Sequence, residues 1–171
     1  MRTAEQIVAE LNMQPIPDEG AWFVEGPRTQ GLSSILVLLT SADDGFSAMH
    51  KLGVDEGWQW LEGAPAALLR LKEGPKRNHG TLALLSAQRR QMLVRSGWWQ
   101  GAATMGEWTL LSCWCSPAFR PRHFTLGDRD DLTSKFPTYA AEIAALTRPD
   151  SGAVVEPVAL DSRSRARRAR S

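Results

Sequence analysis

Short apolar segments, each followed by turn residues, fill the chain from Trp22 to about Pro117. Turn sequences such as SADDG, EGAP and RSG separate them. The nine segments are AWFVEG, SSILVLLT, SAMHKL, EGWQWLEG, AALLRLK, TLALLS, QMLVRS, WWQGAAT and WTLLSCWC. Short strands at this spacing are typical of a β-barrel or β-sandwich. The pattern therefore predicts a mainly β fold.

Helical periodicity flanks this β region on both sides. Ile7, Val8 and Leu11 recur at helical spacing after Thr3, a residue type that caps helix N-termini. We therefore predict a short helix over residues 3–12. On the other side, apolar residues at spacings of three and four predict a turn and then a helix of about ten residues, divided by Pro137.

We expect one domain over residues 1–149, followed by a disordered basic tail over residues 150–171. A chain of this length can bury a substantial core. The tail lacks apolar periodicity, and five of the twenty Lys and Arg residues lie in its last nine positions. The remaining fifteen face sixteen acids in residues 1–149, so the domain is nearly neutral. Near-neutrality argues against a nucleic-acid partner.

The sequence also predicts where the protein is found. Its longest apolar run, ILVLLT, is too short to span a bilayer, and the N-terminal residues lack a signal-peptide pattern. Cys113 and Cys115 would lie about 6.5 to 7 Å apart on one face of a strand, which disfavours a disulfide between them. We therefore expect a cytoplasmic protein with reduced thiols and no membrane partner.

Candidate chemistry is concentrated in the stretch GFSAMHKLGVDEGWQWLEG, residues 45–63. Side chains alternate along a barrel strand, so if Glu56 points inward, Trp58 and Trp60 point inward with it. His50, on the preceding strand, would share the same interior. The stretch therefore predicts an imidazole and a carboxyl group in one tryptophan-lined space.

The same stretch carries a family resemblance. Gly45, His50, Glu56 and Gly63 have the spacing of the first cupin motif, and Leu52 stands where that motif has a second histidine. FSAMHK, DEGWQWLEG and RSGWWQ are similar to segments of one branch. Residues 5–148 thus resemble the cupin superfamily, in the small-barrel family called domain of unknown function 985 (cupin-5 type). The resemblance implies a cupin barrel, that is, a double-stranded β-helix or jelly roll, which forms a homodimer.

The resemblance adds residues to the site and also shows departures from the family pattern. Arg95, Gly97 and Gln100 occupy the proline, glycine and histidine positions of the second cupin motif, which brings Gln100 and the neighbouring Trp98 to the interior. Ile16 and Gln59 stand where the family has histidines. These two substitutions remove titratable groups, so the common family chemistry need not apply here.

A metal-free reaction is our main expectation. Catalytic divalent sites usually have three imidazole or carboxylate ligands, and a carboxamide is a weak substitute. We therefore predict no cofactor; a bound metal would be held by His50, Glu56 and Gln100. A carboxylate among indoles loses hydration, and a nearby imidazolium compensates, so such a pair can transfer protons near neutral pH.

We accordingly predict a small-molecule isomerase, epimerase or cyclase with His50 and Glu56 as acid and base. Trp58, Trp60 and Trp98 would shape the pocket, and Gln100 would position the substrate. The tryptophan lining suggests an aromatic or polycyclic metabolite of specialised metabolism. Two alternatives remain open: a metal-dependent lyase or oxygenase, and a small-molecule-binding protein without activity.

Overall fold

The computed structural model of the chain describes residues 2–17, 19–42 and 44–148. The predicted tail over residues 150–171 lies outside these ranges. The helices and strands are, in chain order, α1 Ala4–Leu11, β1 Gln14–Pro15, β2 Trp22–Arg28, β3 Ser33–Thr40, β4 Ser47–Leu52, β5 Asp55–Gly63, β6 Ala66–Lys72, β7 His79–Leu85, β8 Gln91–Val94, β9 Trp99–Thr104, β10 Trp108–Ser116, β11 Phe124–Leu126, α2 Arg129–Lys135 and α3 Ala140–Ala145. Each of the nine predicted segments overlaps one of these strands, which confirms the mainly β fold.

The strands form two antiparallel sheets. The first has the order β1-β2-β3-β10-β5-β8, and the second has the order β11-β4-β9-β6-β7. Strands that follow each other in sequence therefore often lie in different sheets, as β4 and β5 do. Side chains from both sheets meet in one buried inner cluster, which includes Val37, Trp58, Leu68, Ala102 and Leu111. The site residues lie on the inner faces that build this cluster.

The predicted N-terminal helix is confirmed. The Thr3 hydroxyl accepts a hydrogen bond from the backbone N–H of Gln6, and the Gln6 side chain accepts one from the backbone N–H of Thr3. Ile7 is fully buried in a cluster with Leu38 and Trp108. The helix therefore covers the outer face of the first sheet.

The C-terminal region forms two short helices, where the sequence predicts a turn and one longer helix. Asp128 caps α2, accepting a hydrogen bond from the backbone N–H of Asp131 at 2.8 Å. The 3₁₀ turn Pro137–Tyr139 follows, and α3 has six residues. Proline has no N–H to continue the first helix, so the chain changes direction there. Leu132 and Ile143 cover the outer face of the second sheet.

Cys113 and Cys115 are both buried and free. Among the described residues, no helix combines the length and apolar character needed to cross a bilayer.

We expect Gly57→Ala to destabilise the protein by about 1 to 3 kcal/mol, a typical cost of overpacking. The Trp114 indole packs directly on the Gly57 backbone, and a β-carbon on Gly57 would lie 1.9 Å from that ring. Urea denaturation measures the loss. Gly31→Ala is the matched control, since a β-carbon at Gly31 meets no atom within 4 Å. Equal stabilities of the two variants would contradict this packing.

Candidate functional site

The site lies between the two sheets. Two paired residues of the second sheet face a residue near the beginning of β5 in the first sheet. His50 on β4 is in register with Gln100 on β9. Glu56, on β5, approaches them from the first sheet. All three are buried, with exposed fractions of 5 % for His50, 6 % for Glu56 and 1 % for Gln100. The prediction that the imidazole and the carboxyl group meet inside the barrel agrees with this placement.

Gln100 links the two sheets through its side-chain amide. Its Oε1 accepts a hydrogen bond from Trp58 Nε1 at 2.9 Å. Its Nε2 donates to Glu56 Oε2 at 2.5 Å and lies 3.3 Å from His50 Nε2. Because the indole can only donate and the carboxylate only accepts, these partners fix the orientation of the amide. Gln100 therefore holds the Glu56 carboxylate in place.

His50 is oriented from two sides. Its Nδ1 lies 2.8 Å from the carbonyl oxygen of Ala48, so Nδ1 carries a proton and donates it there. Phe124 stacks on the imidazole, with ring centroids 5.3 Å apart and an interplanar angle of 19°. These contacts direct Nε2 at Glu56, whose Oε2 is 3.7 Å away.

The surroundings of His50 favour its charged form. Burial lowers the pKa of His50, but the nearby carboxylates of Glu56 and Glu19 outweigh it and raise the pKa from the ordinary value of 6.5 to about 9. The imidazolium is therefore the main form at neutral pH.

Glu19 is a further carboxyl group near the site, and it is not among the residues predicted from the sequence. Its Oε2 accepts a hydrogen bond from the Ser47 hydroxyl at 3.4 Å. Burial raises the pKa of Glu19, His50 lowers it, and Glu56 raises it. Glu19 lies in a turn that ends at Gly20, where φ is 83° and a β-carbon would lie 2.2 Å from the Asp44 carbonyl oxygen. Only glycine fits this turn readily, so the turn places Glu19 over the site.

The three predicted tryptophans lie at different depths. Trp58 is 2 % exposed and belongs to the inner cluster. Trp60 and Trp98 are half-buried and pack against the edge of that cluster. Trp60 also donates from Nε1 to the carbonyl oxygen of Ala64 at 3.0 Å. Trp58 therefore supports Gln100 from the core, whereas Trp60 and Trp98 have surface accessible to solvent.

The donor set of this arrangement does not fit a divalent metal. Gln100 directs its amide nitrogen, which cannot act as a ligand, toward Glu56 and His50, and its oxygen is bonded to Trp58. Across the described residues, no group of three or more His, Cys, Asp or Glu side chains is arranged to hold a metal ion. A divalent ion would require the Gln100 amide to rotate and break both hydrogen bonds.

Cys113 lies on the inner face near the site but is not a reactive thiol. Burial raises its pKa well above the ordinary value, and the charge of Glu56 adds to that effect. A thiol that stays protonated is a poor nucleophile, so we assign Cys113 to the core.

Solved structures share this fold. A protein from Shewanella oneidensis superposes with a TM-score of 0.78 at 25% sequence identity, over 88% of this chain and 100% of that chain. A hypothetical protein from Leishmania major has a TM-score of 0.73 at 23% identity, over 85% of this chain and 99% of that chain. Oxalate decarboxylase from Bacillus subtilis has a TM-score of 0.50 at 11% identity, over 79% of this chain and 37% of that chain. The last two likenesses show the fold alone.

The two sheets and the row of inward polar residues define a double-stranded β-helix barrel of the cupin type. Residues 5–127 match the family described as Cupin superfamily (DUF985), and the chain belongs to that family. No protein with a curated function matches the sequence.

Proposed function

We propose that this cupin protein is an enzyme that isomerises, epimerises or cyclises a small molecule by metal-independent proton transfer. The observation that carries the proposal is the buried pair of His50 and Glu56, 3.7 Å apart, in which the pKa of His50 is raised to about 9. An imidazolium beside a carboxylate is an acid and a base held together.

Each group has a defined part in the proposed reaction. Glu56 takes a proton from an acidic C–H of the substrate, and His50 donates its Nε2 proton to a second position. The substrate then has the same atoms in a new arrangement. The proton on Glu56 passes to His50 Nε2, because the two groups face each other, and this transfer restores the starting state. The cycle consumes no cofactor.

Neighbouring residues support this cycle. Gln100 holds Oε2 of Glu56 by its amide, while the contact of His50 with Ala48 keeps Nδ1 protonated and Nε2 directed at Glu56. The half-buried Trp60 and Trp98 would contact the substrate, and an aromatic substrate suits them. Glu19, with its raised pKa, would serve as a second proton carrier. As before, we expect the enzyme to act as a homodimer.

Deuterium exchange tests the proposal without knowledge of the natural substrate. The probes are phenylpyruvate, phenylacetone and a set of ketose sugars in D₂O, and mass spectrometry measures deuterium at their acidic carbons. We expect the protein to accelerate exchange of at least one probe by about 100-fold or more over buffer, a typical contribution of acid–base catalysis. Glu56→Gln and His50→Gln should each abolish the acceleration, and prior dialysis against EDTA should leave it unchanged.

Arg95→Gln is the matched control, because the Arg95 side chain is 70 % exposed and pairs with Asp55 outside the site. Its exchange rate should equal that of the parent. Binding of probes with no accelerated exchange would favour the alternative of a binding protein. Acceleration that disappears with EDTA would favour the metal-dependent alternative.

A further inference from the structure

The inner face of β6 changes from apolar to cationic along its length. Ala66 and Leu68 point into the inner cluster and are fully buried. The next two positions on the same face are Arg70, which is half-buried, and Lys72, which is exposed. Because side chains alternate along a strand, Arg70 is directed toward the space between the sheets.

Arg70 lies in the same row as the proposed catalytic pair. It is in register with Gln100, and Gln100 is in register with His50. Adjacent strands are about 4.8 Å apart, which places the Arg70 backbone about 10 Å from that of His50. A small molecule of one ring and a short side chain spans this distance. Arg70 is therefore within reach of a ligand that also contacts the catalytic pair.

The guanidinium of Arg70 has unused hydrogen-bonding capacity. One terminal nitrogen donates to the Leu93 carbonyl oxygen across the gap between the sheets, at 3.4 Å. Its Nε is buried and has no hydrogen-bond partner in the described part of the chain. An unpaired buried donor costs about 1 to 3 kcal/mol and is rare in native proteins. A ligand oxygen would remove this cost.

Arg89 is a further cation near Arg70, and Lys72 lies two residues along the same strand. Burial lowers the pKa of Arg70, and Arg89 lowers it further. The Lys72 ammonium lies 5.4 Å from the centroid of the Trp98 ring, and the Arg90 guanidinium lies 5.3 Å from that of Trp60. The salt bridges found within the described ranges involve none of these four cations. Within the described residues, neither Arg70 nor Lys72 is therefore neutralised by a salt bridge.

We infer that Arg70 binds an oxyanionic group, carboxylate or phosphate, of a small aromatic ligand that packs against Trp98. The planar guanidinium can offer two parallel N–H donors, which match the oxygens of either group. Lys72 adds charge beside the same indole. The inference rests on the proposed function only in identifying this ligand with the substrate.

Binding measurements test the inference independently of turnover. Phenylpyruvate, phenyl phosphate and the neutral phenylacetone are titrated into the full-length protein, with isothermal calorimetry as the readout. We expect at least one of the two anions to bind about tenfold or more tightly than phenylacetone, and the stronger one identifies the preferred oxyanion. Arg70→Gln should weaken the binding of that anion by about tenfold or more. Arg70→Lys keeps the charge but loses the planar donors, so its affinity for that anion should lie between those of the parent and of Arg70→Gln.

Controls separate this inference from the proposed reaction. Arg95→Gln should bind as the parent does, and circular dichroism checks that each variant is folded. Glu56→Gln should keep anion binding while losing deuterium exchange. The inference is overturned if Arg70→Gln and Arg70→Lys bind the anion as tightly as the parent does. It is also overturned if the parent binds phenylacetone and both anions equally well. Loss of exchange activity alone bears only on the proposed function.

Discussion

Glu56→Leu is expected to destabilise the protein by about 3 to 5 kcal/mol at pH 7, the usual cost of removing one partner of a buried ion pair. The substitution leaves the His50 imidazole without the carboxylate 3.7 Å from it. It also removes the acceptor of the Gln100 amide. Both donors are buried, so water cannot replace the lost contacts without entering the core. Urea denaturation measures the change in the free energy of unfolding.

Two comparisons make this prediction specific to the pair. Glu62→Leu removes an exposed glutamate of the same strand, whose partner is Arg2, and should cost no more than about 1 kcal/mol. The double variant His50→Leu, Glu56→Leu should recover much of the lost stability, because replacing a whole buried pair by apolar groups is often nearly neutral. A Glu56→Leu loss no larger than that of Glu62→Leu would contradict the buried pair.

The second large effect is a fall in stability of about 3 kcal/mol, contributed by His50, as the pH rises from about 6.5 to about 9. The pKa of His50 is about 9 in the folded protein and about 6.5 in the unfolded chain. Between these values the folded protein binds more protons than the unfolded chain, so stability decreases with rising pH. Below pH 6.5 the contribution is fully present. Urea denaturation at intervals of half a pH unit measures the slope.

The difference between the parent and His50→Gln isolates this contribution, since other groups titrate in both proteins. The His50→Gln protein should show a much smaller fall over the same range. His123→Gln should behave as the parent does, because His123 lies outside the pair. Parallel stability curves for the parent and His50→Gln would show that the charge of His50 does not stabilise the fold.

Most of the strands could be predicted from the sequence, because alternation and turn residues are local properties of the chain. The two strands that it missed are β1, with two residues, and β11, with three. Neither is long enough to show a period of two. They become strands by pairing with β2 and β4. The sequence predicted a helical region at the C-terminal side but not the lengths of its two helices. The ends of these helices depend on the Asp128 cap and on the turn at Pro137.

The sequence could predict which of the site residues point into the barrel. Alternation and the family resemblance placed Glu56 and Gln100 in the barrel, and both are buried there. The amide of Gln100 between Trp58 and Glu56 could not be predicted, since it depends on side-chain conformations across two sheets. Glu19 could not be found either, because a loop acid has no periodic signal and its place depends on the Gly20 turn.

Arg70 is a different case, since the sequence did contain a signal for it. In the segment AALLRLK, alternation that places Leu68 inward also places Arg70 inward. A charged residue at an inward position of a strand is unusual and calls for a partner. The segment is predicted from the sequence only as a strand, and Arg70 is not among the predicted site residues.

The central claim is that His50 is a buried imidazolium held in its charged form by Glu56. An NMR pH titration of the histidine ring signals measures this directly, with His50→Gln to assign the His50 signal and Glu56→Gln to test its cause. We expect His50 to titrate with a pKa of about 9 and this pKa to fall in Glu56→Gln. A His50 signal that titrates at or below 6.5 in the parent protein, or one that is unaffected by Glu56→Gln, would contradict the account.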